Sequence, residues 1–69
     1  MQNFRELKDG PRHARCWGWE AQANDLTFYE CQDDIAHYYG KTWAEMTPEE
    51  KLESKREFDN GREEEKANS

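Results

Sequence analysis

A chain of 69 residues with a net charge of −6 and only 33% apolar residues forms one small domain at most. No segment approaches the roughly twenty apolar residues that a membrane span needs, and the N-terminal charges precede no apolar run of a signal peptide. With three Leu, one Ile and no Val, the nine aromatic residues must supply most of the core.

The first breaker in the chain is the turn sequence Asp9-Gly10-Pro11. It predicts a flexible leader over residues 1–10, followed by a single small helical domain over residues 11–61. Residues 62–69, which follow Gly61 and are mostly charged, are predicted to be a frayed acidic tail.

Residues 12–31 allow two interpretations. As a helix, they place Cys16, Trp19 and Ala23 on one stripe, beside Trp17 and Ala21. Gly18 costs that helix about 1 kcal/mol. As two strands, they form a hairpin over residues 15–31 in which Cys16 lies opposite Cys31. The pattern alone leaves both open.

The second half of the chain has clearer helix signals. Apolar residues recur at helical spacing from Phe28 through Ile35. Thr27 with Glu30 forms a candidate capping box, and an alternative helix start lies nearer Gln32. The sequence Thr47-Pro48-Glu49-Glu50 is a second helix start, with a cap residue, a proline at the first helical position and a glutamate at the third.

Residues 35–51 resemble the second half of a high-mobility-group (HMG) box. In that family an Ile of the second helix is followed by a Gly five residues later and a Trp after three more. A Ser or Thr four residues beyond the Trp caps a third helix that opens with Glu-Glu-Lys. The matching positions here are Ile35, Gly40, Trp43, Thr47 and Glu49-Glu50-Lys51.

The HMG-box resemblance implies an L-shaped three-helix domain with Trp43 at the junction of the helices, and it favours helix over residues 12–24. It also implies minor-groove DNA binding. The first helix and the basic DNA-facing residues of the family do not match this chain. We therefore expect an all-α, HMG-box-like three-helix domain, with a hairpin over residues 15–31 followed by two helices as the α+β alternative.

Charge argues against nucleic acid as the partner. Between Cys16 and Gly40 there is no Lys or Arg, whereas phosphate binding depends on basic side chains. An acidic surface instead favours a protein with a basic surface. The candidate contacts are the acidic and aromatic residues of this region, namely Glu20, Asp25, Glu30, Asp33, Asp34, Tyr38 and Tyr39, with Trp17 and Trp19 as further apolar anchors.

The function predicted from these observations is binding without catalysis. The chain is expected to be a small acidic protein that binds a basic macromolecule, in one version an inhibitor that imitates nucleic-acid charge, as phage regulators do. The alternative is a divergent HMG-box-like DNA-binding protein whose basic arm contains Arg5, Lys8, Arg12 and Arg15. An aromatic patch would favour a homodimer. The expected location is the cytoplasm, that of the host if phage-encoded, or the nucleus for an HMG-box relative.

No cofactor, metal site or catalytic group is predicted. Four residues are of types that bind zinc, His13, Cys16, Cys31 and His37, but their spacing contains no Cys-x2-Cys pair. The sequence also lacks a phosphate-binding glycine loop. In a reducing compartment the two cysteines are expected to be free thiols.

Overall fold

Three helices make up the part of the chain that the structure, a computed structural model, describes, which is residues 10–68. Helix α1 spans Gly10–Asn24, α2 spans Phe28–Tyr38 and α3 spans Pro48–Asn68, with a 3₁₀ turn at Trp43–Glu45 before α3. Within this range there is no strand, so the three-helix prediction is confirmed and the hairpin over residues 15–31 is wrong.

Local capping fixes where α2 and α3 begin. The Thr27 hydroxyl accepts the Glu30 backbone N–H at 3.2 Å, and the Glu30 carboxylate accepts the Thr27 N–H in return. Thr47 and Glu50 make the same reciprocal pair at the start of α3. Both predicted capping boxes are therefore confirmed, and each satisfies backbone donors that a helix start leaves unpaired.

Helices α1 and α3 cross at two glycines, and this contact holds the domain together. A Cβ built on Gly18 would lie 3.0 Å from Gly61 Cα and deep inside contact distance of the Phe58 carbonyl oxygen. Contacts pair Arg15 with Glu57 and Gln22 with Arg62. Because both numbers rise together along the pairs, the two helices run in the same direction.

The buried stripe of α1 is not the predicted one of Cys16, Trp19 and Ala23, although Ala21 beside that stripe is buried. Trp19 is 40% exposed and Ala23 is exposed. The stripe that faces the other helices instead consists of the smallest side chains, which are Gly10, Ala14, Gly18 and Ala21. The predicted cost of Gly18 to the helix is offset by the close approach that it allows, since a residue without a Cβ lets two backbones meet.

Aromatic side chains fill the space between the helices. Phe58 and Ile35 are the largest fully buried side chains, and Tyr39 and Met46 are buried beside them. The rings of Phe28 and Phe58 meet edge to face at a centroid distance of 5.1 Å. The core thus combines a tight small-residue crossing with aromatic packing against α2.

The three predicted segments of the chain differ from the observed helices at their boundaries. Residues 1–9 of the expected leader lie outside the described residues, and Gly10 is already the first residue of α1. The boundary expected after Gly61 is not a helix end, because α3 continues to Asn68. Arg62 and Glu64, both in the expected tail, bond to Gln22 and Trp19 of α1.

Candidate functional site

The candidate site is the outer face of helix α2, which lies opposite the buried residues of that helix. Cys31, Ile35 and Ala36 are buried against the core. At 100° per residue the opposite face carries two stripes at i,i+4 spacing. We name this surface the α2 outer face, and it consists of Tyr29, Glu30, Asp33, Asp34 and His37, all exposed.

Asp33 and Asp34, predicted as contacts, are exposed on this face. Neither carboxylate forms a hydrogen bond or ion pair with any residue of 10–68. Glu30 lies beside them, but its carboxylate already bonds to the Thr27 backbone and hydroxyl. Burial raises the pKa of the Cys31 thiol, and the negative charges of Asp34 and Glu30 raise it further. The negative charges of the exposed acids therefore act on the buried Cys31 thiol.

Glu20 and Asp25 lie outside α2: Glu20 is in the second half of α1, and Asp25 is in the turn between α1 and α2. Asp25 takes a left-handed conformation with φ of 59°, which a short polar side chain tolerates. The Asn24 side chain donates to the Glu20 carboxylate at 3.1 Å. Both acids are exposed, so they extend the negative surface beyond the start of α2.

The two predicted tyrosines have different environments. Tyr39 is 6% exposed, packs its ring against Gly10 and donates its hydroxyl to Glu53 at 3.0 Å. Burial and this hydrogen bond raise the Tyr39 pKa. A buried, bonded side chain does not reach a partner, so Tyr39 belongs to the scaffold. Tyr38 is half-exposed, with its ring stacked on His13 at a centroid distance of 3.8 Å.

Tyr29 is the surface residue that the sequence analysis missed. It is 77% exposed, the most of any large apolar side chain that the structure describes. The available signal was its register: Tyr29 precedes Asp33 by four residues, which puts it on the acidic stripe and away from Cys31 and Ile35. Trp17, in contrast, packs against the core, and the Trp19 indole donates to Glu64.

Basic side chains bond elsewhere in the domain. Arg15 bonds to Glu57 and Glu64, Lys41 to Glu50, and Lys55 to Asp59. None of these partners is on the α2 outer face. The acidic side chains of the α2 outer face therefore form no ion pair with any of these basic residues.

A shallow cleft adjoins the α2 outer face where the helix ends. Its volume is about 400 Å³, and it is lined by Asp33, His37, Lys41, Thr42 and Trp43. The Lys41 ammonium is held by both oxygens of Glu50, at 2.8 and 2.9 Å. The Trp43 ring is half-buried and meets Phe28 edge to face.

The predicted chemistry of the cysteines and histidines can also be placed. Cys31 is buried in the core, Cys16 is partly exposed on α1, and both are free thiols. Among residues 10–68 no three His, Cys, Asp or Glu side chains are arranged to hold a metal ion. In the same range, no helix is both long and apolar enough to cross a bilayer.

Comparison with known proteins gives no relative: no protein-family model, curated protein or solved structure matches this chain.

Proposed function

We propose that this protein acts by binding a basic surface of another macromolecule, most directly a protein, and that it catalyses no reaction. The α2 outer face is the binding surface. In the most specific version its carboxylates occupy a site that otherwise holds nucleic-acid phosphates, so that the protein inhibits a nucleic-acid-binding partner.

The observation that carries this proposal is the coincidence of unneutralised charge with an exposed ring. Asp33 and Asp34 are exposed acidic side chains that form no hydrogen bond or ion pair with any residue of 10–68. Tyr29, one helical turn before Asp33, is 77% exposed. Tyrosines are over-represented among the residues that dominate binding energy at protein interfaces, because the ring is large and rigid and its hydroxyl stays polar.

Charge complementarity favours a basic surface as the partner of the α2 outer face. An acidic face attracts basic surfaces and speeds their association, and it repels both nucleic acid and other acidic proteins. A second copy of this chain would present the same face and the same sign. The α2 outer face is therefore better suited to a basic partner than to self-association through that face.

The test compares two variants of equal charge in affinity capture from the source cell. The first, Asp33→Asn with Asp34→Asn, removes two unpaired acids from α2. The second, Asp59→Asn with Glu63→Gln, removes two acids from α3 that are paired with Lys55 and Lys66. We expect the native chain and the α3 variant to retain one basic protein that the α2 variant loses and that salt releases.

Equal capture by both variants would contradict the proposal, because charge at α2 would then play no special part. For the inhibitor version, the captured protein is given duplex DNA or RNA, and the added chain is expected to displace the nucleic acid. Simultaneous binding of both would limit the function to simple association.

DNA binding of the HMG-box type is the second proposal to be tested. It requires free bases, and Arg15 of the expected basic arm lies in ion pairs with Glu57 and Glu64. Arg5 and Lys8 of that arm lie outside the described residues. A gel-shift titration at low salt decides between the proposals, since duplex binding that weakens steeply with salt would favour DNA.

A further inference from the structure

The cleft at the end of α2 has a charge balance that points to one kind of ligand. Of its charged lining residues, Lys41 is clamped by two bonds to Glu50. These bonds, with the Thr47 backbone N–H, lower the pKa of Glu50, so that carboxylate stays ionised and neutralises Lys41. Asp33, the carboxylate that lines this cleft, forms no hydrogen bond or ion pair with any residue of 10–68.

A second carboxylate lies in a neighbouring recess of about 370 Å³. This recess shares His37, Lys41 and Thr42 with the cleft and is also lined by Glu45. Glu45 accepts the Thr42 backbone N–H at 3.0 Å, which fixes its position at the edge of the 3₁₀ turn. The two recesses are thus lined by the carboxylates of Asp33 and Glu45 and by the His37 imidazole. Their one lysine, Lys41, is already paired with Glu50.

The aromatic lining residue of the cleft, Trp43, already contacts one cation. The Lys51 ammonium lies 5.3 Å from the centroid of the Trp43 ring. This distance is within the range of cation–π attraction. The Trp43 indole thus presents an apolar wall, next to an acid, on which the apolar stem and charged end of a long basic side chain can lie.

We propose that this cleft receives an arginine side chain of the basic partner, with its guanidinium bonded to Asp33 and its stem against Trp43. The inference rests on the proposed function and names the group that the surface recognises. A guanidinium is planar and presents paired donors that match a carboxylate, and it gives up its hydration more readily than an ammonium. Arginine is therefore preferred over lysine at this position.

The same geometry gives the proposed interface two fixed points. Tyr29 and His37 are eight positions apart on one stripe of α2, which corresponds to about 12 Å at 1.5 Å per residue. A partner segment that follows the α2 outer face would contact Tyr29 at one end and insert its arginine into the cleft at the other.

The experiment is a titration of the full chain, labelled with ¹⁵N, with an arginine-rich peptide and with the same peptide carrying lysine at every arginine. We expect the arginine peptide to shift the signals of the Trp43 indole N–H and the Thr42 amide. Asp33→Asn is expected to weaken binding about tenfold, as for loss of a charge-assisted hydrogen bond, and the lysine peptide to bind about fivefold more weakly.

Asp34→Asn is the matched control, because it removes the same charge one position along the helix and outside the cleft lining. We expect it to weaken binding about twofold, through the general field alone. Both aspartates are exposed, so circular dichroism is expected to show both variants folded.

Each other outcome would overturn either the arginine cleft or the proposed function. Equal losses for the two variants, with Trp43 and Thr42 signals unmoved, would remove the arginine cleft and leave general acidic binding intact. Shifts of the same signals by inorganic phosphate would identify an anion site instead. Basic peptides that move no signal of the α2 outer face would overturn the proposed function as well.

Discussion

The α1–α3 crossing and the α2 outer face obey opposite physical rules. At the crossing, Gly18 and Gly61 bring two backbones together where neither leaves room for a side chain. On α2, exposed side chains point away from the core and form few bonds inside the domain. Substitutions at the crossing are therefore expected to change stability, whereas those on α2 are expected to change binding. This separation lets the function be tested without unfolding the protein.

The largest predicted effect is at the crossing itself. Gly18→Ala adds a Cβ that collides with the Phe58 carbonyl oxygen, a backbone atom that moves only if the helices separate. We expect a loss of about 3 kcal/mol or more in the free energy of unfolding, measured by urea denaturation. A domain of this size has roughly 3–10 kcal/mol in total, so this loss is a large fraction of its stability.

The control for Gly18→Ala is Asn60→Ala, an exposed site in the middle of α3. Alanine is the better helix former at both positions, and Asn60→Ala is expected to gain a few tenths of a kcal/mol. If Gly18→Ala also stabilised the chain, helix propensity alone would govern that site and the close crossing would be refuted.

A smaller effect is predicted at the start of α3. Thr47→Ala removes the hydroxyl that accepts the Glu50 backbone N–H at 3.1 Å. We expect a loss of about 1 kcal/mol in the free energy of unfolding, measured by urea denaturation. Thr47→Ser keeps the hydroxyl, and a comparable loss in that variant would show that capping is not the cause.

The next effect in size is an acid-dependent loss of stability. The pKa of Glu50 is lowered from 4.5 by its bonds to Lys41 and Thr47, so the ionised form stabilises the fold. That contribution is complete above pH 4.5 and is lost as the pH falls through the lower, folded-state pKa. In thermal melts, Glu50→Gln is expected to show a smaller drop in Tm on acidification than the native chain does. An identical drop in both would contradict this assignment.

The smallest predicted effect on stability is at the exposed ring of α2. Tyr29→Ala removes a side chain that is 77% exposed, and it is expected to change the free energy of unfolding by less than about 0.5 kcal/mol. The same variant is expected to weaken partner binding by about tenfold or more, measured by titration. Leu52→Ala, at a site 65% exposed on α3, is the control that should leave both quantities unchanged. A large stability loss in Tyr29→Ala would place this ring in the core.

Sequence by itself marked the starts of α2 and α3 and determined how the charge is spread. The capping boxes of Thr27 and Thr47 join residues three apart, so the local sequence is sufficient to encode them. The absence of Lys and Arg from Cys16 to Gly40 is likewise visible without any coordinates. These local features indicated the binding class that we propose.

Only the tertiary structure decided which side of each helix faces inward. In the sequence alone, Gly18 is a residue that lowers helix stability. Its role in the close crossing is visible only in the tertiary structure, where Gly61, more than forty positions away, packs against it. Adjacent Tyr38 and Tyr39 have the same chemistry, yet one is half-exposed and the other buried, because burial depends on the helices packed around them. Tyr29 was missed, and Tyr39 was taken as a contact, for the same reason: exposure is a property of packing between distant segments.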